Sequence, residues 1–176
     1  MTADAIEGAV RDAGAVAAAV SRLGAARRAL NAARAAVQRT GDACPPATFG
    51  AYLAAHREMI AAMRHAQTLN LCDAGDVRAD ADQYADAQTG PAYCRWARAE
   101  LGRLLAEHLP SPKYSPPVLF ELAQAARRAG IDGAATALER AERTQHLDSD
   151  GAMAGQSDDL RAALDAVRIA AGATVA

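Results

Sequence analysis

Small and apolar residues recur every seven positions along the first half of this chain, and that spacing restricts the fold more than any other feature of it. Ile6, Ala13, Val20, Arg27 and Arg34 form one column, and Ala9, Val16, Leu23, Leu30 and Val37 form its neighbour. Columns three and four apart share one helical face, so residues 6–37 are predicted to form a long helix with a narrow seam. Gly41 and Asp42 end it, and Cys44-Pro45-Pro46 cannot continue it, because proline lacks the backbone donor and clashes with the preceding turn. A second pair of columns begins at once: Phe49, His56, Met63, Asn70, Val77 and Tyr84, beside Leu53, Ile60, Gln67, Ala74, Ala81 and Gln88. Six repeats in register predict a second helix of about 40 residues, with Gly75 as a weak point costing about 1 kcal/mol. A short connection between long helices favours antiparallel packing, hence a helical hairpin.

Composition sharpens this. Alanine supplies 49 of the 176 residues, whereas Leu, Ile, Val and Phe together supply 29. Alanine is the best helix former but buries little area, and the residues that favour strands are scarce. The expected fold class is therefore all-α with a thin core: a long antiparallel hairpin followed by about four smaller helices. The far end of the hairpin seam (Asn70, Ala74, Ala81 and Gln88, with Ala9 and Ala13 opposite) is too small-sided to stand without a third layer, supplied either by the later helices or by another chain.

Gly90-Pro91 breaks the run, and Tyr93, Trp96, Leu101, Leu104, Leu105 and Leu109 mark a third helix. The organisation read from the sequence is a hairpin plus third helix over 1–109, a proline-rich elbow over 110–117, and a C-terminal lobe over 118–176. Within the lobe, Ser115 and two prolines open a helix that Gly130 closes; Ile131-Asp132 starts another, and Ser157 with Asp158 and Asp159 a last one. The pair of helices over 118–146 is read as a capping hairpin rather than one unit of a solenoid, which needs about three stacked units.

Residues for chemistry are thinly spread. The four histidines never stand three or four apart, no Cys-x-x-Cys occurs, and the loop at Asp148 and Asp150 departs from a calcium-binding pattern at its glycine and its last ligand position. No glycine-rich loop follows a strand, and no cysteine or serine has a nearby histidine to act as base. No metal, cofactor or catalytic residue is predicted. Three cysteines (Cys44, Cys72, Cys94) without a close pair fit a reduced, cytoplasmic chain. The acidic N-terminus lacks the positive region of a secretory signal, and no charge-free apolar run is long enough to cross a bilayer.

Charge is patterned. Residues 13–41 carry Arg22, Arg27, Arg28, Arg34 and Arg39 and no acid, while residues 73–86 carry five aspartates against Arg78. In a continuous hairpin turning near residue 44 these blocks do not face each other. The arginines either snorkel past the seam or meet an acidic partner; the aspartates then face Arg95, Arg98 and Arg103 of the third helix. Nucleic acid is not expected, because the net charge is −2 and no aromatics interleave with the arginines.

Thr48-Phe49-Gly50 between two long alanine-rich helices, Tyr52-Leu-Ala-Ala-His56, and Ala79-Asp-Ala-Asp-Gln-Tyr84-Ala-Asp86 give residues 1–88 a pattern that resembles the small helical-hairpin substrates of type VII secretion. Thr48 stands at that family's tryptophan position and Gln88 at the acidic position of its signal. The resemblance implies an aromatic-glycine turn between the helices and export without a cleavable signal peptide.

The leading expectation is a non-enzymatic helical interaction module, an adaptor, assembly subunit or secretion-associated factor. It would bind a protein partner, or a second copy of itself, through Arg27, Arg28, Arg34, Arg39, Phe49, Tyr52 and Tyr84. The alternatives are a secreted type VII-like substrate, and a small helical enzyme or ligand carrier with a pocket around Trp96, Tyr93, His56 and Tyr114.

Overall fold

The computed structural model describes residues 3–108, 115–147 and 157–172, and all regular structure among them is helical. In chain order the helices are α1 (Ala3–Thr40), α2 (Pro46–Thr68), α3 (Ala74–Ala87), α4 (Pro91–His108), α5 (Pro116–Arg128), α6 (Asp132–Leu147) and α7 (Ser157–Ala170), with a single 3₁₀ turn at Gly41–Ala43. They belong to two compact units, Met1–Ala92 and Tyr93–Ala176. The division therefore falls at the start of α4 and not at the proline stretch, and the helix expected to accompany the hairpin lies almost wholly in the second unit. Of that stretch, 110–114 lie outside the described residues, and Ser115–Pro117 open α5 at its N-terminus without a side-chain capping bond from Ser115.

In the first unit, α1 ends as its sequence dictates. Gly41 adopts φ +51, a conformation an L side chain resists, and Pro45 and Pro46 sit at the N-cap and first turn of α2. Helices α1 and α2 pack along one another. An exposed ion pair, Arg22 Nε to Glu58 Oε1 at 2.8 Å, joins them, and its hydrogen bond holds the Glu58 carboxyl below the usual range.

The seam of α1 differs from the expected one. Val16, Leu23, Leu30 and Val37 do face inward, as buried or half-buried residues, but their companions are Ala19 and Ala26. Of the other expected column, Val20 is 56% exposed and Ala13 and Arg27 are also exposed, while Arg34 is half-buried. Three residues on from Val16, Leu23 and Leu30 is alanine; four on is valine or arginine. At Ala26 against Arg27, burial goes to the position that desolvates no guanidinium. Ala26 and Leu30 then share one buried cluster with Met59, Ala62 and Met63 of α2 and Val77 of α3.

The 40-residue return helix does not form. α2 stops at Thr68, and Asn70 takes φ +57. The Leu71 N–H donates to the Ala66 carbonyl at 2.9 Å and the Asn70 N–H to the Gln67 carbonyl at 3.0 Å, the paired bonds of a Schellman stop. Asp73 then caps α3, its Oδ1 accepting from the Gly75 N–H at 2.6 Å. Gly75, expected as a flaw inside one helix, is in the first turn of another, where a Cβ would stand 3.1 Å from that oxygen. The far seam expected from Asn70, Ala74, Ala81 and Gln88 is consequently absent, with Asn70 and Ala74 exposed.

The second unit repeats the Schellman stop at Gly130 (φ +77), where the Ile131 N–H donates to the Ala126 carbonyl at 2.9 Å. This turn sets α5 against α6, and α7 packs on α6. Leu119, Leu122, Leu138 and Val167 are fully buried. An Arg127–Glu139 bridge of 2.7 Å ties α5 to α6. Arg103, one of the arginines expected to meet the aspartates, pairs instead with Glu100 and Glu107 of its own helix.

Two urea-denaturation measurements check this account. Leu30→Ala is expected to destabilise the first unit by about 3 kcal/mol, and Val20→Ala by less than about 0.5 kcal/mol. At the helix break, Asn70→Gly is expected to be tolerated, whereas Asn70→Val costs about 1–2 kcal/mol, because a β-branched residue resists positive φ.

Candidate functional site

The break at Leu69–Asp73 sets a face of α3 opposite a face of α1. On α1, Leu23, Arg27, Leu30, Asn31 and Arg34 follow helical spacing and share one side; on α3, Asp76, Asp80 and Gln83 do the same. Between them lies a cleft of about 800 Å³ with Met59 and Met63 of α2 in its lining and Leu71, Cys72 and Asp73 at its loop end. The arginine and aspartate blocks, expected to be out of reach of each other, therefore line one cleft. The expectation fails because it assumed an unbroken second helix.

The facing charges do not close on one another. Arg34 Nη2 donates to Gln83 Oε1 at 3.3 Å, and Asp73 is engaged in capping α3. Neither Arg27 nor Asp76 makes a hydrogen bond or ion pair among the described residues. The half-buried Cys72 senses both walls. Burial first, then the Asp76 and Asp73 carboxylates, push its thiol above the ordinary cysteine range, while the Arg27 guanidinium pulls the other way.

Asp80 joins this cleft to a buried aromatic nest. His56 of α2 is wholly buried, its Nε2 lying 3.3 Å from Asp80 Oδ2. The geometry is too poor for a hydrogen bond, so both ring nitrogens and that carboxylate oxygen are without one. Two half-buried rings flank the imidazole: Tyr52 at 5.6 Å between centroids, and Tyr84, edge-on, at 5.4 Å. Phe49 packs on Tyr52 at 5.8 Å. Three of the residues expected to bind a partner, Phe49, Tyr52 and Tyr84, thus gather around His56, and Phe49 is only 5% exposed. Phe49 and Gly50 lie inside α2; the connection between α1 and α2 is made by residues 41–45.

Of the four arginines singled out, Arg27 and Arg34 line the cleft, and Arg28 and Arg39 are exposed outside its lining. The pocket expected around Trp96 is not this one: Tyr93 and Trp96 stack on each other at 5.4 Å on α4, His56 does not line the cleft, and Tyr114 lies outside the described residues. The acidic loop at Asp148 and Asp150 lies there too. Sequence reading missed Met59, Cys72, Asp76 and Asp80 as site residues. The signal for them was an Asn followed three residues later by a capping Asp, which starts a new helix and puts Asp76 and Asp80 on one of its faces.

Among the described residues no three metal-ligating side chains converge. No family model, curated protein or solved structure matches the chain.

The electrostatics of the cleft are measurable at Cys72. Asp76→Asn is expected to lower its thiol pKa and speed alkylation at a fixed mildly alkaline pH, because a carboxylate opposing the thiolate is removed. Arg27→Gln is expected to slow it, for the converse reason. Mass-spectrometric rates for the Cys72 peptide provide the check.

Proposed function

We propose that this chain is a non-enzymatic helical protein-interaction module that binds a protein partner through its first unit, as an adaptor, assembly subunit or secretion-associated factor. The observation that supports the reading is the cleft between α1 and α3. One wall carries Arg27 and Arg34, the other Asp73, Asp76 and Asp80, and the lining between includes Leu30, Met59 and Met63. A cleft built for a small metabolite is mostly apolar with a few convergent polar groups; this one presents separated opposite charges. Charges so arranged select and orient a partner, and methionine adapts to varied apolar contacts. The residues lie on helices, so the charged groups are held at fixed spacing by the backbone ladder.

The test is affinity capture from the native source with wild-type protein and with the double variant Arg27→Glu, Asp76→Lys, its helicity checked by circular dichroism. A partner held by the wild type and lost at least about tenfold by the folded variant is the expected result; tenfold corresponds to two moderate ionic contacts. Capture indifferent to both substitutions overturns the reading.

A further inference from the structure

We infer that the cleft receives a helical segment of a partner protein that presents an arginine or lysine to Asp76 and Asp80 and an acidic side chain to Arg27. This inference rests on the reading of the cleft as a protein-binding site and assigns the chemistry of its occupant. The first support is the state of Asp80. Its Oδ2 is buried without a hydrogen bond, and the wholly buried His56 imidazole, whose Nε2 lies 3.3 Å from it, makes none either. A carboxylate beside an imidazole with which it makes no hydrogen bond is incompletely satisfied, and Asp80, 17% exposed and in the lining of the cleft, can be approached by a donor from there. A guanidinium or ammonium group brings several donors and the matching charge.

The second support is the opposite wall. Arg27 is exposed and makes no ion pair or hydrogen bond among the described residues, while Arg34 is already held by Gln83. One cationic wall position and one anionic wall position are therefore left for a guest of both signs. The third support is the scaffold: the cleft is a groove between faces of two helices, α1 and α3, a form that an amphipathic helix can lie in.

The probes are blocked peptides of about 15 residues, ~22 Å when helical. The first carries arginines on one edge, glutamates on the other and leucine between; in the second citrulline replaces arginine; in the third glutamine replaces glutamate. Binding to the full chain is followed by fluorescence anisotropy of labelled peptide, and its location by loss of Cys72 alkylation with the exposed Cys94 as internal reference. The first peptide is expected to bind and to shield Cys72 but not Cys94. Loss of the peptide cation is expected to weaken binding by roughly tenfold, as is Asp80→Asn or the exposed Asp76→Asn, whereas Asp82→Asn, outside the cleft, leaves it unchanged. Equal binding of the first two peptides, indifference to both Asp76→Asn and Asp80→Asn, or no binding at all overturns the inference. Self-association abolished by Arg27→Glu also overturns it, by making a second copy the occupant. If the native partner is lost by the Arg27→Glu, Asp76→Lys variant while these peptides fail, the charge assignment falls and the interaction reading stands.

Discussion

Helix α2 has the composition to run on past Thr68, and the heptad columns continue through Tyr84, yet the backbone turns at Asn70. Two hydrogen bonds close the end of α2, and Asp73 supplies the first bond of α3 three residues later. Asparagine tolerates the left-handed conformation better than other residues with a side chain, and the position is exposed, so its amide needs no buried partner. Every property of the first unit that bears on function follows from that turn. It folds Val77 onto the α1–α2 cluster, supplying the third layer a seam of alanines needs. It also turns a row of aspartates, which an unbroken return helix would carry away from the arginine block, into one wall of a cleft.

The charges of that cleft are held apart rather than neutralised. Had Arg27 and Asp76 met, the walls would be joined by an exposed ion pair of little worth to stability. Kept separate, both remain hydrated and available. The exception is Asp80, whose carboxylate lies partly beneath the surface beside a histidine enclosed by Tyr52 and Tyr84. A polar pair in such surroundings is a poor way to stabilise a small unit.

The helical class and the end of α1 were legible from alanine content and from Gly41 with its following prolines. The Gly130 stop was legible for the same reason. Half of the α1 seam was legible: column counting found Leu23 and Leu30, but it does not distinguish a companion three residues on from one four residues on. Desolvation of Arg27 decides that, and only a three-dimensional neighbour makes the cost visible. The end of α2 was overlooked because periodicity describes side-chain faces and is blind to backbone sign. The cleft followed it into obscurity, since pairing of residues 23–34 with residues 73–83 depends wholly on the turn. His56 was noticed as a polar interruption of a packed column; its carboxylate neighbour, 24 positions along the chain, was not.

Ala19 and Ala26 leave α1 resting on α2 through methyl groups where larger side chains would interlock. A methyl has no rotamers to freeze, so the contact forms at little entropic cost, but a methyl alone does little to fix one rod's register on the other. Axial position is then held by Leu30, by the Arg22–Glu58 bridge and by the short connection. The alanine track thus brings the two rods close together and leaves the register of the two charged walls to Leu30, the Arg22–Glu58 bridge and the connection.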